Sequence, residues 1–462
     1  MHSLSIFGTS SDAGKSTLAF ALTYLLHKRG YSVAPFKAQN VSNNSRVCDG
    51  GGEIAQAQYF AAESIGLATR SDFNPVLLKS GRGSSASLIV NGEAVGEKEV
   101  RDYYREIGNL RPVVTGAFSR LQREFDVIVA EGAGSPVELN LMEKDLSNIA
   151  IAERFGTKIV LVADIERGGV FASIWGVYNL LPEPLRNNVI GVIVNKFRGD
   201  ITLFDDGRTI IEERFGIPVL GVVPWRPLNL GFEDSQSLEQ YVQTSQHGAI
   251  RAGVIRLPHI SNYTDFEPIV ADDEVHLGFI RSAAALQEYD VVIVPGTKRT
   301  VADLEWLREH GFDRALEAYE GVVVAICGGY EMMFESLSDP EGIEAEAGTV
   351  VRGFGRLAGE VLFEKEKTVA KGTYDLFGVQ VEGYEIHHGQ CGRIAAEGER
   401  LYGTFVHGLF DSDAFRKKLF AAVNPDYRGY DFKAYKAETI AAFAAHVEKA
   451  VDVDAIAEAL RG

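Results

Sequence analysis

The sequence predicts two consecutive α/β domains, residues 1–232 and 250–462, the first built on a doubly wound parallel sheet. Three observations carry this prediction. Short apolar strands alternate with helical stretches in both halves. A glycine-rich turn closed by Lys15-Ser16-Thr17 follows the first strand, and a later strand runs straight into Cys327-Gly328-Gly329. Strand, helix and strand at this rhythm imply right-handed crossovers and a parallel sheet covered on both faces.

In the first half the expected strands are Leu4–Phe7, Val33–Phe36, Asp126–Ala130, Lys158–Ala163, Val189–Asn195 and Pro218–Val223. Helical patterns such as Ser16–Lys28 and Leu141–Phe155 lie between them. Residues 233–249 are polar, lack a strand pattern and follow a Pro-containing segment, so they read as a linker. A second alternation takes in Arg251–Leu257, Val275–Ile280, Asp290–Val294 and Val322–Ile326. The last thirty residues, rich in Ala, Glu and Lys, read as surface helices of the second domain.

At 462 residues the chain exceeds what a single core supports. A net charge of −18 argues against a nucleic-acid partner, because phosphate contacts need clustered Lys and Arg. No apolar run approaches the roughly 18 residues that would mark a membrane span. The first residues lack a basic flank and a cleavage site, so no signal peptide is expected. Three widely spaced cysteines suit a reducing cytoplasm better than a disulfide framework or a zinc site.

Gly8 to Thr17 follows a strand and opens a helix, the context a phosphate-binding loop requires. Five residues separate Gly8 from Gly14, one more than the usual spacing. Gly8, Thr9, Asp12 and Gly14 are expected to cradle ATP, with Lys15 on the outer phosphates and Ser16 or Thr17 offering a hydroxyl to Mg²⁺. Glu131 ends the apolar run Asp126–Ala130 and is followed by glycines, a carboxylate placed to serve the same hard cation. A partition-type switch ATPase is the alternative of a different class, but it carries a second lysine where this chain has Ser10.

The run Val322–Ile326 into Cys327 and two glycines reads as a strand–nucleophile–helix elbow. The Gly328 N–H, with one from Gly296 at the end of the preceding strand, is placed to receive an oxyanion. His407, at the end of another apolar run, is the candidate base. A buried apolar cysteine with an unrelated histidine is the plain alternative.

Taken together these segments resemble the cobyric acid synthase family, the glutamine-hydrolysing amidotransferases of cobalamin biosynthesis. The most specific stretches are Lys37-Ala-Gln-Asn40, Gly51–Gln58 and Arg167–Ser173, with Asn74–Lys79, Asn195–Asp200, Arg256–Asn262 and Gly383–His387 adding to them. The resemblance implies a dethiobiotin-synthetase-like ATPase half. It also implies a class I glutamine amidotransferase half of flavodoxin-like fold and the cobalamin type. The expected reaction is ATP-dependent amidation of the b, d, e and g carboxylates of adenosylcobyrinic acid a,c-diamide. An acyl phosphate would form, and ammonia would come from glutamine through a thioester on Cys327 with His407 as proton carrier.

The same resemblance implies that Lys37 steadies the transferring phosphate, Asn195 contacts the adenine edge, and Ser16 and Glu131 hold Mg²⁺. It implies a small-molecule corrinoid substrate and no bound prosthetic group. Two departures stand out. Triad glutaminases carry Glu two residues after the histidine, where this chain has Leu409, which leaves a Cys–His pair. Glu331 stands four residues past the cysteine, where such an elbow often has a Gln that helps hold glutamine. Adjacent His387 and His388 on a strand point to opposite sides, which disfavours a shared cobalt. The related enzyme that amidates the a and c carboxylates of cobyrinic acid is the nearest alternative.

Overall fold

A computed structural model describes residues 1–80, 85–231 and 248–462. It divides into two compact units, one of residues 1–42, 48–228 and 437–462, the other of 43–47 and 229–436. The linker expected at 233–249 lies, apart from Gly248 and Ala249, outside the described residues.

The first unit is organised by six strands: β1 (Leu4–Gly8), β2 (Val33–Phe36), β3 (Val127–Glu131), β4 (Lys158–Asp164), β5 (Val189–Phe197) and β6 (Val219–Pro224). They lie in the order β6-β5-β4-β1-β3-β2, all neighbours parallel. Every residue of β1 and β3 is buried, as expected for strands covered on both faces. Phe36, Phe118 and Ile128 belong to one apolar cluster of the unit, Phe7, Leu161 and Val192 to another. Helix α1 (Lys15–Lys28) follows β1 directly. A smaller sheet of Gln39–Val41, Val76–Ser80, Ser85–Val90 and Glu93–Glu99, absent from the expected strands, also forms here.

The structure moves residues 437–462, expected in the second domain, to the first unit. The helix Val453–Arg461 buries Val453, Ile456, Ala457 and Leu460 along one face and packs against α1 and β6. Backbone bonds tie it in place: Asp452 N–H to Leu220 O, and His2 N–H to Leu460 O, both 2.8 Å. A stripe of four apolar residues on a surface helix requires such a neighbour.

The second unit repeats the α/β theme with β7 (Ile250–Ile255), β8 (Val275–Ile280), β9 (Val291–Val294), β10 (Val322–Ile326), β11 (Ala395–Gly398) and β12 (Leu401–Thr404). Their order is β8-β7-β9-β10-β12-β11, parallel except at the β11–β12 edge. A second sheet, Thr349–Arg352, Phe334–Asp339, Leu357–Leu376 and Val379–Gln390, was not among the expected elements. Its longest strand carries Glu364-Lys-Glu-Lys367 facing solvent or half-buried, so composition hides it.

Candidate functional site

Strand register assembles the candidate phosphate site. Ile6 pairs with Glu131, so the carboxyl ends of β1 and β3 lie side by side, and the turn after Gly8 passes over Glu131. Ligands of open α/β sheets bind in this crevice. Gly14 closes the turn at φ 90°, a conformation that disfavours any side chain. A Cβ there would also strike the Asn195 amide. No side-chain hydrogen bond caps α1, which starts directly after the turn, the arrangement an anion site uses.

Three groups converge on the Glu131 carboxylate, which is 3% exposed. Ser16 Oγ and Lys37 Nζ each donate to Oε1 at 2.7 Å, and Gln58 Nε2 donates to Oε2 at 3.2 Å. Lys15 Nζ folds back onto Ser10 O at 3.2 Å, and Thr17 Oγ1 donates to Gly14 O at 2.9 Å. Gln58 was missed as a site residue, although it lies in a segment the resemblance had singled out.

Three residues expected at the nucleotide take part in bonds of the turn itself. Thr9 N–H continues the sheet by donating to Val162 O at 2.9 Å, so that amide is not offered to phosphate. Asp12, at φ 56°, pairs with Arg167 at 3.2 Å, and its carbonyl accepts from Lys196 Nζ at 2.5 Å. Asn195, expected at the adenine edge, uses its amide on Ala13 O at 2.9 Å. These bonds hold the shape of the turn, Asn195 and Lys196 acting from β5 and Val162 from β4. Gly8 ends β1 and pairs with Val162 of β4.

The oxygens of Ser16 and Glu131 lie close enough to share one cation. Mg²⁺ takes one or two protein oxygens and completes its shell with phosphate and water, so this donor set fits. No cluster of three His, Cys, Asp or Glu fit for a metal occurs among the described residues.

Register also builds the candidate thiol site. Val294 of β9 pairs with Ala325 of β10, and Ile326 pairs with Thr404 of β12. The residues just beyond these three strand ends are Gly296, Cys327 and His407. A Cβ built on Gly296 would lie 3.0 Å from His407 Cε1 and 3.6 Å from Cys327 Cβ, so all three meet. Cys327 adopts φ 51°, ψ −115°, and such strain at a non-glycine costs about 1–3 kcal/mol. Gly328 has no room for a side chain, since its Cβ would sit 2.6 Å from Thr297 Cγ2.

Cys327 is 6% exposed, and burial, reinforced by Glu331, pushes its thiol well above the ordinary value. The Gly328 N–H at the sulfur opposes this shift. The thiol therefore stays protonated until a base withdraws its proton. His407 is 1% exposed, and its Nδ1 lies 2.7 Å from Asp265 Oδ2; the other Asp265 oxygen accepts from Gly408 N–H at 2.8 Å.

Where a Cys–His pair was expected, Asp265 also holds the histidine, from 142 residues before it. Leu409, which stands where a triad acid was sought, is wholly buried in the core. The signal that could have found Asp265 is an acid inside the apolar run Tyr263-Thr-Asp-Phe266.

Glu331, expected to help hold glutamine, is bonded within the fold. It is 3% exposed, accepts from Thr300 Oγ1 at 2.7 Å, and also accepts the Gly389 N–H. Burial raises its carboxyl to about 7. His387 and His388 do diverge. His387 is buried with Nδ1 2.7 Å from Gly389 O and Nε2 3.1 Å from Glu385, while His388 Nδ1 lies 3.0 Å from Glu364 O.

Residues 4–231 match the CobQ/CobB/MinD/ParA nucleotide binding domain, and residues 251–415 match the CobB/CobQ-like glutamine amidotransferase domain. A cobyric acid synthase of Acinetobacter baylyi is 52% identical over 463 residues, covering 100% of both chains. The chain belongs to the cobyric acid synthase family.

Other cobyric acid synthases agree. That of Chlorobium phaeobacteroides is 39% identical over 92% of each chain. A probable one of Halobacterium salinarum is 42% identical over 90% of each. As a cobyric acid synthase family member the chain is an enzyme of the glutamine amidotransferase and ligase kind, with a P-loop nucleotide-binding half. The end-to-end match replaces the partition-ATPase alternative. No helix among the described residues is long and apolar enough to cross a membrane.

Proposed function

We propose that the chain converts adenosylcobyrinic acid a,c-diamide to cobyric acid, amidating the b, d, e and g carboxylates in turn with ATP and glutamine. The observation that carries this reading is the presence, in one chain matching a cobyric acid synthase along its whole length, of a phosphate turn over Glu131 and a thiol beside an Asp265–His407 pair.

At the first site a substrate carboxylate oxygen attacks the γ-phosphorus of ATP, ADP departs, and an acyl phosphate forms. Ammonia then adds to the acyl carbon, and phosphate leaves with the C–O bond. A carboxylate resists ammonia until its oxygen is a leaving group of this kind. Lys15 and Lys37 offset charge on the transferring phosphoryl group. Ser16 and Glu131 would hold Mg²⁺, which supplies charge neutralisation on the phosphates when bound.

At the second site His407 Nε2 takes the Cys327 proton, and the thiolate attacks the glutamine side-chain carbon. Asp265 holds Nδ1 protonated so that Nε2 is free to accept. The Gly328 and Gly296 N–H groups receive the oxyanion. The proton then passes from His407 to the departing ammonia, and water releases glutamate from the thioester.

The test is mass spectrometry of the corrinoid after incubation with ATP, Mg²⁺ and glutamine. Four successive replacements of O by NH are expected; two, on cobyrinic acid, would assign the a,c-diamide reaction instead. Cys327→Ala should lose glutamine-dependent turnover and keep turnover with added ammonia. Lys15→Ala should lose both, and surviving ammonia-dependent amidation there would overturn the ATP assignment.

A further inference from the structure

A cleft opens beyond the carboxyl end of β3 in the first unit, beginning two residues past Glu131. Ala133, Ser135, Leu141, Lys144 and Ser147 line it from the segment after β3, and Gln39 lines it from the segment after β2. Its empty space, counting the open solvent at its mouth, is about 510 Å³. None of these residues belongs to the phosphate turn or to the groups around Glu131.

The walls are built in advance. Ser147 Oγ accepts from Gln39 N–H at 3.1 Å and donates to Gln39 O at 3.3 Å, which clamps the two segments together. Asn148 Nδ2 donates to Ala133 O at 2.8 Å, and the Asp145 carboxylate is occupied by the N–H groups of Asn148 and Ala150. Asp145 therefore does not offer an open charge to a ligand.

The lining chemistry is mixed. The Lys144 ammonium, on an exposed side chain, has no carboxylate partner among the described residues. Glu138, also exposed, shares the lining. Against the one cation stand two carboxylates, Glu138 and the hydrogen-bonded Asp145, a balance that does not suit a polyphosphate. Leu141, 37% exposed, gives the lining an apolar edge.

We propose that this cleft seats the corrinoid, with the apolar ring edge against Leu141 and its neighbours and a peripheral carboxylate at Lys144. Resting on the functional reading above, it adds where the acceptor is held. A ligand bearing both carboxylates and carboxamides matches the lining, because Lys144 pairs with the first and Glu138 accepts an N–H from the second.

The experiment is equilibrium dialysis of the full chain with cobyrinic acid a,c-diamide, read by its visible absorbance, without ATP or glutamine. Lys144→Glu is expected to weaken binding about tenfold, the effect of losing one charge-assisted hydrogen bond. Lys144→Arg is expected to restore it, and ATP affinity measured on the same samples should not move. Equal corrinoid affinity in wild type and K144E overturns this proposal alone. A wild-type chain that binds no corrinoid overturns the functional reading and this one with it.

Discussion

Asp265 shows how much one buried oxygen decides. Its side chain is 1% exposed, and both oxygens are taken, one by His407 Nδ1 and one by Gly408 N–H. Replacing it by Asn keeps the shape and can keep the Gly408 bond. The amide N–H would then face Nδ1 and force the proton onto Nε2, where it blocks acceptance from Cys327. We expect Asp265→Asn to lower glutamine hydrolysis by roughly a hundred- to ten-thousandfold, as for other histidines held in the wrong tautomer. Amidation with added ammonia should be retained. Steady-state assays with the two nitrogen sources check this; unchanged glutamine hydrolysis would remove Asp265 from the site.

At the scale of elements, the short helix after Cys327 (Gly328–Glu331) is anchored to the helix Thr300–Glu309 through one carboxyl. Thr300 joins the two, its hydroxyl donating to Glu331 and its N–H to Glu344 at 2.9 Å. Both carboxyls are raised by burial from 4.5 to about 7, and the charged groups around Glu331 are Glu344, His387 and the Cys327 thiol.

A carboxyl raised on folding prefers its proton in the native chain, so the stabilisation is complete below the ordinary carboxylate range. It is lost as pH climbs through the folded value near 7. Glu331→Gln keeps the Thr300 bond without the ionisation. Thermal unfolding from pH about 5 to about 8 should cost the wild type up to ~3 kcal/mol more than the variant. Parallel pH profiles of the two would exclude ionisation of Glu331 as the cause.

At the scale of the molecule, the last stretch of chain completes the nucleotide half. Val447, Val451, Val453, Ile456 and Leu460 are each at most 5% exposed, Phe443 stacks on Phe20 at 6.2 Å, and Arg29 pairs with Glu448 and Asp454. Each such aliphatic contributes about 1.5–3 kcal/mol, so together they rival the 5–15 kcal/mol that holds a domain together. A chain ending at Lys436 should therefore lose ATP binding while hydrolysing glutamine. Calorimetry would show the nucleotide half's transition lowered or gone, and full ATP affinity in that chain would contradict the assignment.

The sequence by itself determined what adjacent residues can express. A buried strand, a glycine at positive φ and a helix start make the phosphate turn, and an apolar run ending in Cys-Gly-Gly makes the elbow. Both form within some ten residues, where backbone sterics and burial leave few options. Only the tertiary structure decided the partners. Lys37 and Gln58 reach Glu131, Asp265 reaches His407, Asn195 and Lys196 brace the turn, and residues 437–462 cross to the first unit. These pairings answer a different demand: a buried charge or polar group must find its complement, and sheet register, not sequence spacing, sets which residue is within reach.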